Sequence, residues 1–440
     1  MLLVFGALTT MPNLGVIRVP IVDDWPDGLT RHDIDRCRLP EGFRIPFDAT
    51  TMECLEPVTT YLWREYVYER RVFVENSQAA TSFDLYEFFC WLDESGIPWN
   101  SVKKSHLKTY SNAQLNSKSP LTGRIYSNNT VRRRLVSIIQ FYLRLKRRGL
   151  VETDIAEAEA VGKVPRNRVS LSHITSPNKR SQSDLLPAAV SHQPHRMSET
   201  QIREIFKKLG PMPSGRTPET SGRPWLASTF SLTTGTRCDE VAHLPMSLVA
   251  QALKVRPRPP MTEILLTHTK GLVPRNIFVP DSVLDQTEIY VAGERAEAIK
   301  RDRASGRTDH DRLFVNSPLA LDRDVGRPVT AHTLWRDFHE AVIEAGYFTA
   351  IPADPVARIG AQVDAFYTYH DNRHTYAINQ YLFRKRSGDA EPWKAIQLLL
   401  GHKHLATTTD IYLDAVKVAE PELSDMTERA IIAIYDAATH

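Results

Sequence analysis

Four short patterns in the C-terminal half of the chain place arginine, lysine, histidine and tyrosine where they could act on a phosphate. The first is Thr234-Gly235-Thr236-Arg237-Cys238-Asp239-Glu240. A Gly-Thr turn opening a helix puts Arg237 in the first turn and Glu240 one turn on, on the same face. The carboxylate could then orient a guanidinium that holds an anionic oxygen, although the same spacing describes an ordinary surface ion pair. The second is Lys270 in Thr267-His268-Thr269-Lys270-Gly271, at the tip of an expected hairpin, where a lysine can also be merely solubilising. The third is His370-Asp371-Asn372-Arg373-His374. On a helix His370 and Arg373 share a face, combining a fork of donors with an imidazole that moves protons near neutral pH. His370 and His374 could instead bind zinc in a hydrolase, but the metalloprotease pattern needs Glu after the first His and this chain has Asp371. The fourth is Leu399-Leu400-Gly401-His402, followed by Lys403-His404-Leu405-Ala406-Thr407-Thr408-Thr409-Asp410-Ile411-Tyr412. A tyrosine here is usually buried in the core, but Tyr412 follows a polar Thr/Asp run, which leaves an exposed hydroxyl open as an alternative.

The elements around these patterns are mostly helical. Residues 198–209 open with Ser198 and Gln201 as a capping box and carry Ile202, Ile205, Phe206 and Leu209, with Gly210 closing. Residues 261–269 and 275–280 alternate well enough for two strands joined by a turn around Gly271. Leu334, Phe338, Ala341 and Ala345 predict a helix ending at Gly346, and Trp393, Ile396 and Leu400 one ending at Gly401. Leu423, Met426, Ala430, Ile434 and Tyr435 predict a last helix over 421–438. Upstream, residues 82–94 read as a helix capped by Ser82, with Leu85, Phe88, Phe89 and Leu92 on one face and Gly96 beyond its end. Residues 129–148 are clearer: Val131, Leu135, Ile138, Tyr142 and Leu145 recur at helical spacing and Gly149 can stop the run. The expected organisation is an irregular extension over 1–55, a helical domain over 56–151, a Pro- and Ser-rich linker over 152–195 and a second domain over 196–440.

Charge is distributed unevenly. The chain has 440 residues and a formal net charge of only +3. Residues 1–60 hold nine acids against five bases, whereas residues 95–151 contain no Asp or Glu and twelve bases. Such a segment repels itself unless a polyanion lies near it, so a nucleic-acid surface is expected, with Lys103, Lys104, Lys108, Arg132, Arg133, Arg134, Arg144, Lys146, Arg147 and Arg148 as its candidates. Arg132, Arg133 and Arg134 are read into the first turn of their helix, where the dipole disfavours cations and phosphate contact would justify them. No stretch approaches the ~18 apolar residues of a membrane span. The apolar first eight residues lack a basic leader, so they are not read as a secretory signal. Four cysteines without a CxxC pair disfavour a disulfide framework and a zinc knuckle. The expectation is a soluble protein of a reducing bacterial cytoplasm, associated with the nucleoid.

Taken together, the four patterns resemble the tyrosine recombinases, the phage-integrase family of site-specific DNA recombinases. The resemblance rests on TGTRCDE (234–240), Lys270, HDNRH (370–374) and LLGHKHLATTTDIY (399–412), in that order, and covers about residues 197–440. It implies a mainly α-helical fold with a small antiparallel β-sheet: a helical core-binding domain and a mixed α/β catalytic domain that clamp DNA. Tyr412 would attack a DNA phosphodiester, leaving a 3′-phosphotyrosyl link and a 5′-hydroxyl. Arg237 and Arg373 would hold the non-bridging oxygens, and Lys270 would protonate the departing oxygen. His370 would assist proton transfer at the tyrosine, His402 would donate to the phosphate, and Glu240 would orient its neighbours. No cofactor and no metal are implied. The implied partners are double-stranded DNA carrying specific sites, further copies of the chain forming a tetramer on DNA from a free monomer or weak oligomer, and accessory proteins. The last helix would dock on a neighbouring protomer. A type IB topoisomerase-like nicking-closing enzyme and a catalytically inactive architectural DNA-binding protein remain as alternatives.

Overall fold

The computed structural model describes residues 14–18, 39–69, 72–119, 123–155, 185–188, 190, 194–270, 273–304, 306, 309–353, 360–409, 411–413 and 416. The chain is mainly α-helical, with three two-stranded antiparallel sheets among the described residues. It divides into two compact units, Met1–Ser191 and His192–His440. The helix expected over 421–438, most of the expected linker and the turn residue Gly271 lie outside the described residues.

In the first unit, β1 (Leu14–Arg18) pairs antiparallel with β2 (Arg44–Asp48). Helices α1 (Glu56–Trp63), α2 (Glu75–Glu94), α3 (Lys104–Leu115) and α4 (Asn128–Arg147) follow. Part of the stretch expected to be irregular is therefore sheet, and Phe43 beside it is fully buried in the core. The cause is a single amide: Gln78 on α2 accepts from the Arg44 N–H at 2.9 Å and donates to the Arg44 carbonyl at 2.8 Å. Helix α2 also begins seven residues before the expected cap, so Ser82 is a buried interior residue rather than a cap. Two polar residues of its added turns, Gln78 and Thr81, are buried in the fold, with Thr81 bonded to the Tyr66 hydroxyl at 2.6 Å. Helix α4 matches its pattern. Ser127 accepts from the Thr130 N–H, the five apolar residues that recur along the helix are all buried, and Gly149 beyond the end has φ +68°.

The basic segment finds its counter-charges elsewhere in the chain. Arg132, Arg133 and Arg134 fall in the second turn of α4 rather than the first. Arg133 pairs with the buried Asp84 at 2.6 Å, and Ser137 donates to the same carboxylate at 2.8 Å. Arg134 donates to Gln114 at 2.5 Å, lies 3.6 Å from Glu87 and covers the Tyr126 ring at 4.4 Å. Arg132 donates to the Pro187 carbonyl, Arg144 reaches Glu65 and Glu69, Lys146 donates to the Thr153 carbonyl, and Arg148 lies 4.0 Å from Glu69. Internal partners thus account for the three consecutive arginines without a phosphate. The absence of acids within 95–151 concealed this, because the acids stand on α2 and the segment before it. Lys103 and Lys108 are turned to solvent.

The second unit opens with α5 (Glu199–Lys208), where Ser198 and Gln201 form the expected capping box. Helices α6 (Arg223–Thr234), α7 (Cys238–Ala242) and α8 (Met246–Lys254) precede the hairpin of β3 (Met261–Leu266) and β4 (Arg275–Pro280). Its register sets Leu266 opposite Arg275. Next come α9 (Asp281–Tyr290), which runs through a π-helical turn at Val291–Arg295 into α10 (Ala296–Ala304), and α11 (Ala331–Glu344). The hairpin β5 (Phe348–Ile351) and β6 (Gln362–Ala365) leads to α12 (Tyr369–Arg386) and α13 (Pro392–Leu400). One core gathers Leu226, Phe230, Leu284, Phe314, Phe338 and Tyr369. A smaller one gathers Tyr376, Ile378, Ile396, Leu400 and Tyr412. Leu334, Phe338 and Ala341 are buried along α11 as their spacing predicts. No helix among the described residues is long and apolar enough to cross a membrane.

Candidate active site

The N-terminus of α7 is the first piece of the site. Gly235 ends α6 in the left-handed region, φ +68°, and releases the chain into Thr236 and Arg237. A Cβ on Gly235 would lie 2.5 Å from the Tyr376 ring, so both the backbone angle and the space call for glycine. Arg237 is the N-cap residue of α7 rather than a member of its first turn. Glu240 accepts from the Arg237 backbone N–H and from its guanidinium, each at 2.8 Å.

The same carboxylate holds a second guanidinium that the sequence reading did not single out. Arg275 on β4 donates to both Glu240 oxygens at 2.7 Å and to the Leu399 carbonyl at 3.2 Å. The signal was present in the alternation: Arg275, Ile277 and Val279 share the inward face of β4, so a cation occupies an apolar register position. Burial alone would raise the Glu240 carboxyl; the hydrogen bonds and charge of Arg275, then Arg237, outweigh it and hold the group down at about 2. Glu240 is thus a buried anion between two arginines, not half of a surface pair.

Arg373 lies in the second turn of α12 and is 1% exposed. Its guanidinium donates to the Gly235 carbonyl at 2.5 Å and the Leu400 carbonyl at 2.7 Å, the ends of two helices, and approaches His402 Nε2 at 3.2 Å. Burial, then repulsion from Arg237, lowers its pKa to about 9. A guanidinium only donates, so His402 Nε2 must accept, and its Nδ1 carries the proton toward Thr408 Oγ1 at 2.9 Å. Burial and then Arg373 bring His402 down to about 4, in keeping with a neutral ring.

Tyr412 is 1% exposed, which decides against the exposed hydroxyl that its polar run left open. The polar run before it does not keep it in water, because Thr408 turns inward to His402 and Tyr412 packs in the core of α12 and α13. Burial pushes the phenol up to about 12, against the lowering effect of Arg373 and Arg237. Its hydroxyl meets His374 Nδ1 at 3.0 Å. The imidazole at the Tyr412 hydroxyl is therefore the second histidine of the HDNRH pattern, not His370. His370 packs edge-on against His374, with ring centroids 4.6 Å apart, and reaches the surface. Burial, then His370 and Arg373, lowers His374 to about 3, so its ring is neutral and can accept. Lys270 is exposed at the end of the β3 side of the hairpin, and its charge acts on His370.

Arg237, Glu240, Arg373, His402 and Tyr412 are thus assembled in one unit, with His374 and Arg275 added. A paired-guanidinium clamp beside a phenol and neutral imidazoles suits transesterification at a phosphodiester. Curated relatives carry the same reading. "Tyrosine recombinase XerC" of Lactobacillus delbrueckii subsp. bulgaricus is 22% identical over 319 residues, covering 72% of this chain and 81% of the relative. The chain is similar to the tyrosine recombinases over most of its length. The protein of the same name from Lactobacillus leichmannii matches this chain at the same identity and coverage. Among solved structures, XerH recombinase bound to palindromic difH substrate superposes with a TM-score of 0.47 and 14% identity, covering 80% of each chain. The Tn1549 transposon integrase in complex with circular intermediate DNA gives 0.43 and 16%, covering 80% of this chain and 93% of that chain. No family model matches the sequence.

Proposed function

We propose that this chain is a recombinase that cleaves and rejoins double-stranded DNA at specific sites through a 3′-phosphotyrosyl intermediate on Tyr412, in the service of a mobile element. The observation that carries the reading is the convergence of Arg237, Arg373, His402 and Tyr412 around the Glu240–Arg275 pair. The phenol oxygen attacks phosphorus, the bond to the 5′-oxygen breaks, and the ester is kept until a 5′-hydroxyl returns. His374 takes the phenolic proton, as the group already at hydrogen-bond distance. Lys270 gives a proton to the leaving 5′-oxygen. Arg237 and Arg373 bind the non-bridging oxygens more strongly as charge accumulates on them. His402 takes part by releasing Arg373 and presenting a proton at Nε2, a tautomer opposite to that of the DNA-free chain.

Two steps must precede attack. Tyr412 has to leave its buried position, because no phosphate reaches a hydroxyl that is 1% exposed. Arg373 has to share donors now directed at the Gly235 and Leu400 carbonyls. DNA binding supplies both, with the first unit reading the duplex and Lys103 and Lys108 among its phosphate contacts. Four copies acting on two duplexes complete strand exchange from a free monomer or weak oligomer, the 421–438 segment docking between copies, with accessory proteins setting direction.

A covalent trap tests the reading. Labelled duplexes from DNA flanking the gene, nicked so that the cleaved end diffuses away, are incubated with the protein and resolved on a denaturing gel. Wild type is expected to give a protein–DNA adduct, and Tyr412→Phe none, while its DNA affinity stays within about threefold. Loss of affinity in step with loss of the adduct would remove Tyr412 from the nucleophile's role.

A further inference from the structure

Next to the catalytic clamp lies a cluster that the reaction does not use. Asp239, in the first turn of α7, presents Oδ2 to His268 Nε2 at 2.8 Å and Oδ1 to His243 Nδ1 at 3.3 Å. His243 is the residue at which α7 ends, and its Nδ1 also faces the Asp239 backbone carbonyl at 2.9 Å. The two imidazoles lie nearly parallel, with centroids 4.1 Å apart. One ligand atom from each residue falls within 4.8 Å of the others, and no other group of three His, Cys, Asp or Glu among the described residues is so placed. The side chains are 50%, 33% and 46% exposed for Asp239, His243 and His268, so an ion from solvent can reach them.

Two imidazoles and a carboxylate form a donor set suited to divalent transition metals, zinc above all. With metal–ligand bonds of ~2.0–2.1 Å and tetrahedral angles, ligand atoms stand roughly 3.3 Å apart. Rotations about the side-chain bonds close the gap from the present separations, with His243 giving up its backbone contact and a water filling the fourth position. The placement gives such an ion a mechanical consequence. His268 lies two residues before Lys270 on the hairpin side, and Asp239 two residues after Arg237 on the helix side. These sides are joined here by a hydrogen bond between two half-exposed groups.

We propose that Asp239, His243 and His268 bind a zinc-class divalent cation that clips the Lys270 hairpin to the turn carrying Arg237. The site itself does not depend on the recombinase reading; only the benefit to Lys270 does. The ion stands outside the reaction and holds one of its proton donors in register with the phosphate clamp.

The test uses the full chain without DNA, stripped with a chelator and titrated with zinc by calorimetry, the bound metal being counted by mass spectrometry. Wild type is expected to bind one zinc per chain, with slowed amide exchange across residues 261–280. His268→Gln, which keeps a hydrogen-bond donor toward Asp239, and His243→Ala are each expected to weaken binding at least tenfold and to abolish the slowing. The His370→Ala/His374→Ala double variant is expected to bind as wild type does. Absence of zinc binding by wild type, or loss of it in the double variant with retention in His268→Gln, would overturn the proposal. Because no DNA is present, neither outcome depends on whether the chain cleaves DNA.

Discussion

Glu240 holds two guanidiniums that make unequal demands on it. Arg275 is buried and bidentate, whereas Arg237 is partly exposed and keeps a backbone contact to the same carboxylate. Removing the anion strands a buried cation, so Glu240→Ala should cost about 3–5 kcal/mol of unfolding free energy, read by urea titration. Arg237→Gln leaves Glu240 satisfied by Arg275 and relieves repulsion on Arg373; stability should change by less than about 1 kcal/mol while adduct formation disappears. The histidines give a pH dependence of definite sign. His374 at about 3 and His402 at about 4 are neutral in the fold and titrate near 6.5 when unfolded. Between those values the unfolded chain binds more protons, so stability falls as pH drops from about 6.5 toward 4. Melting temperatures measured across that window should decline, and His402→Gln should decline less steeply. Much of this site could be read from residue types, because arginine, lysine, histidine and tyrosine in that order have few other uses together. Two features could not. Whether Tyr412 is buried stays open in the sequence since only the fold shows Thr408 turning its polar run inward, and His374 was passed over because helical spacing alone does not say which histidine faces Tyr412.

Elements position these groups through their ends. Arg373 is held by carbonyls at the ends of α6 and α13, each closed by a left-handed glycine, Gly235 at φ +68° and Gly401 at φ +67°. A Cβ on Gly401 would stand 2.7 Å from the Arg275 side chain. Gly235→Ala and Gly401→Ala should therefore each cost at least about 1 kcal/mol and reduce cleavage more than stability, because the displaced atoms are those that aim Arg373 and Arg275. Comparing melting temperature with cleavage rate for each variant checks this. Element type was legible wherever an apolar period ran cleanly, as in α4, α5 and α11. It failed where polar side chains are buried: Gln78, Thr81 and Ser82 made the first turns of α2 look like a loop with a cap. β2 was missed for the same reason from the other side, since its edge is satisfied by the Gln78 amide rather than by a longer sheet.

Among the described residues the hydrophobic cores separate by unit, one in the first and a large one with smaller satellites in the second, built from different helices. Calorimetry of the full-length protein should accordingly show two unfolding transitions. Leu135→Ala, which deletes a fully buried side chain of the first unit, should lower one of them, and Glu240→Ala the other. A single transition shifted by both variants would mean that the units unfold together. Charge is organised on the same scale. Arg133, Arg134, Arg144 and Arg148 of the basic stretch meet acids on neighbouring elements, whereas at the candidate site Glu240 pairs with both Arg237 and Arg275 while the buried Arg373 donates only to neutral partners, which leaves a local excess of positive charge. That excess makes the choice of buffer part of any experiment on this protein. A small tetrahedral dianion such as sulfate or inorganic phosphate answers the same charge as the DNA backbone, so it should steady the resting protein on the shelf and slow it at the bench. Preparations kept in different salts should therefore behave differently until they are exchanged into one.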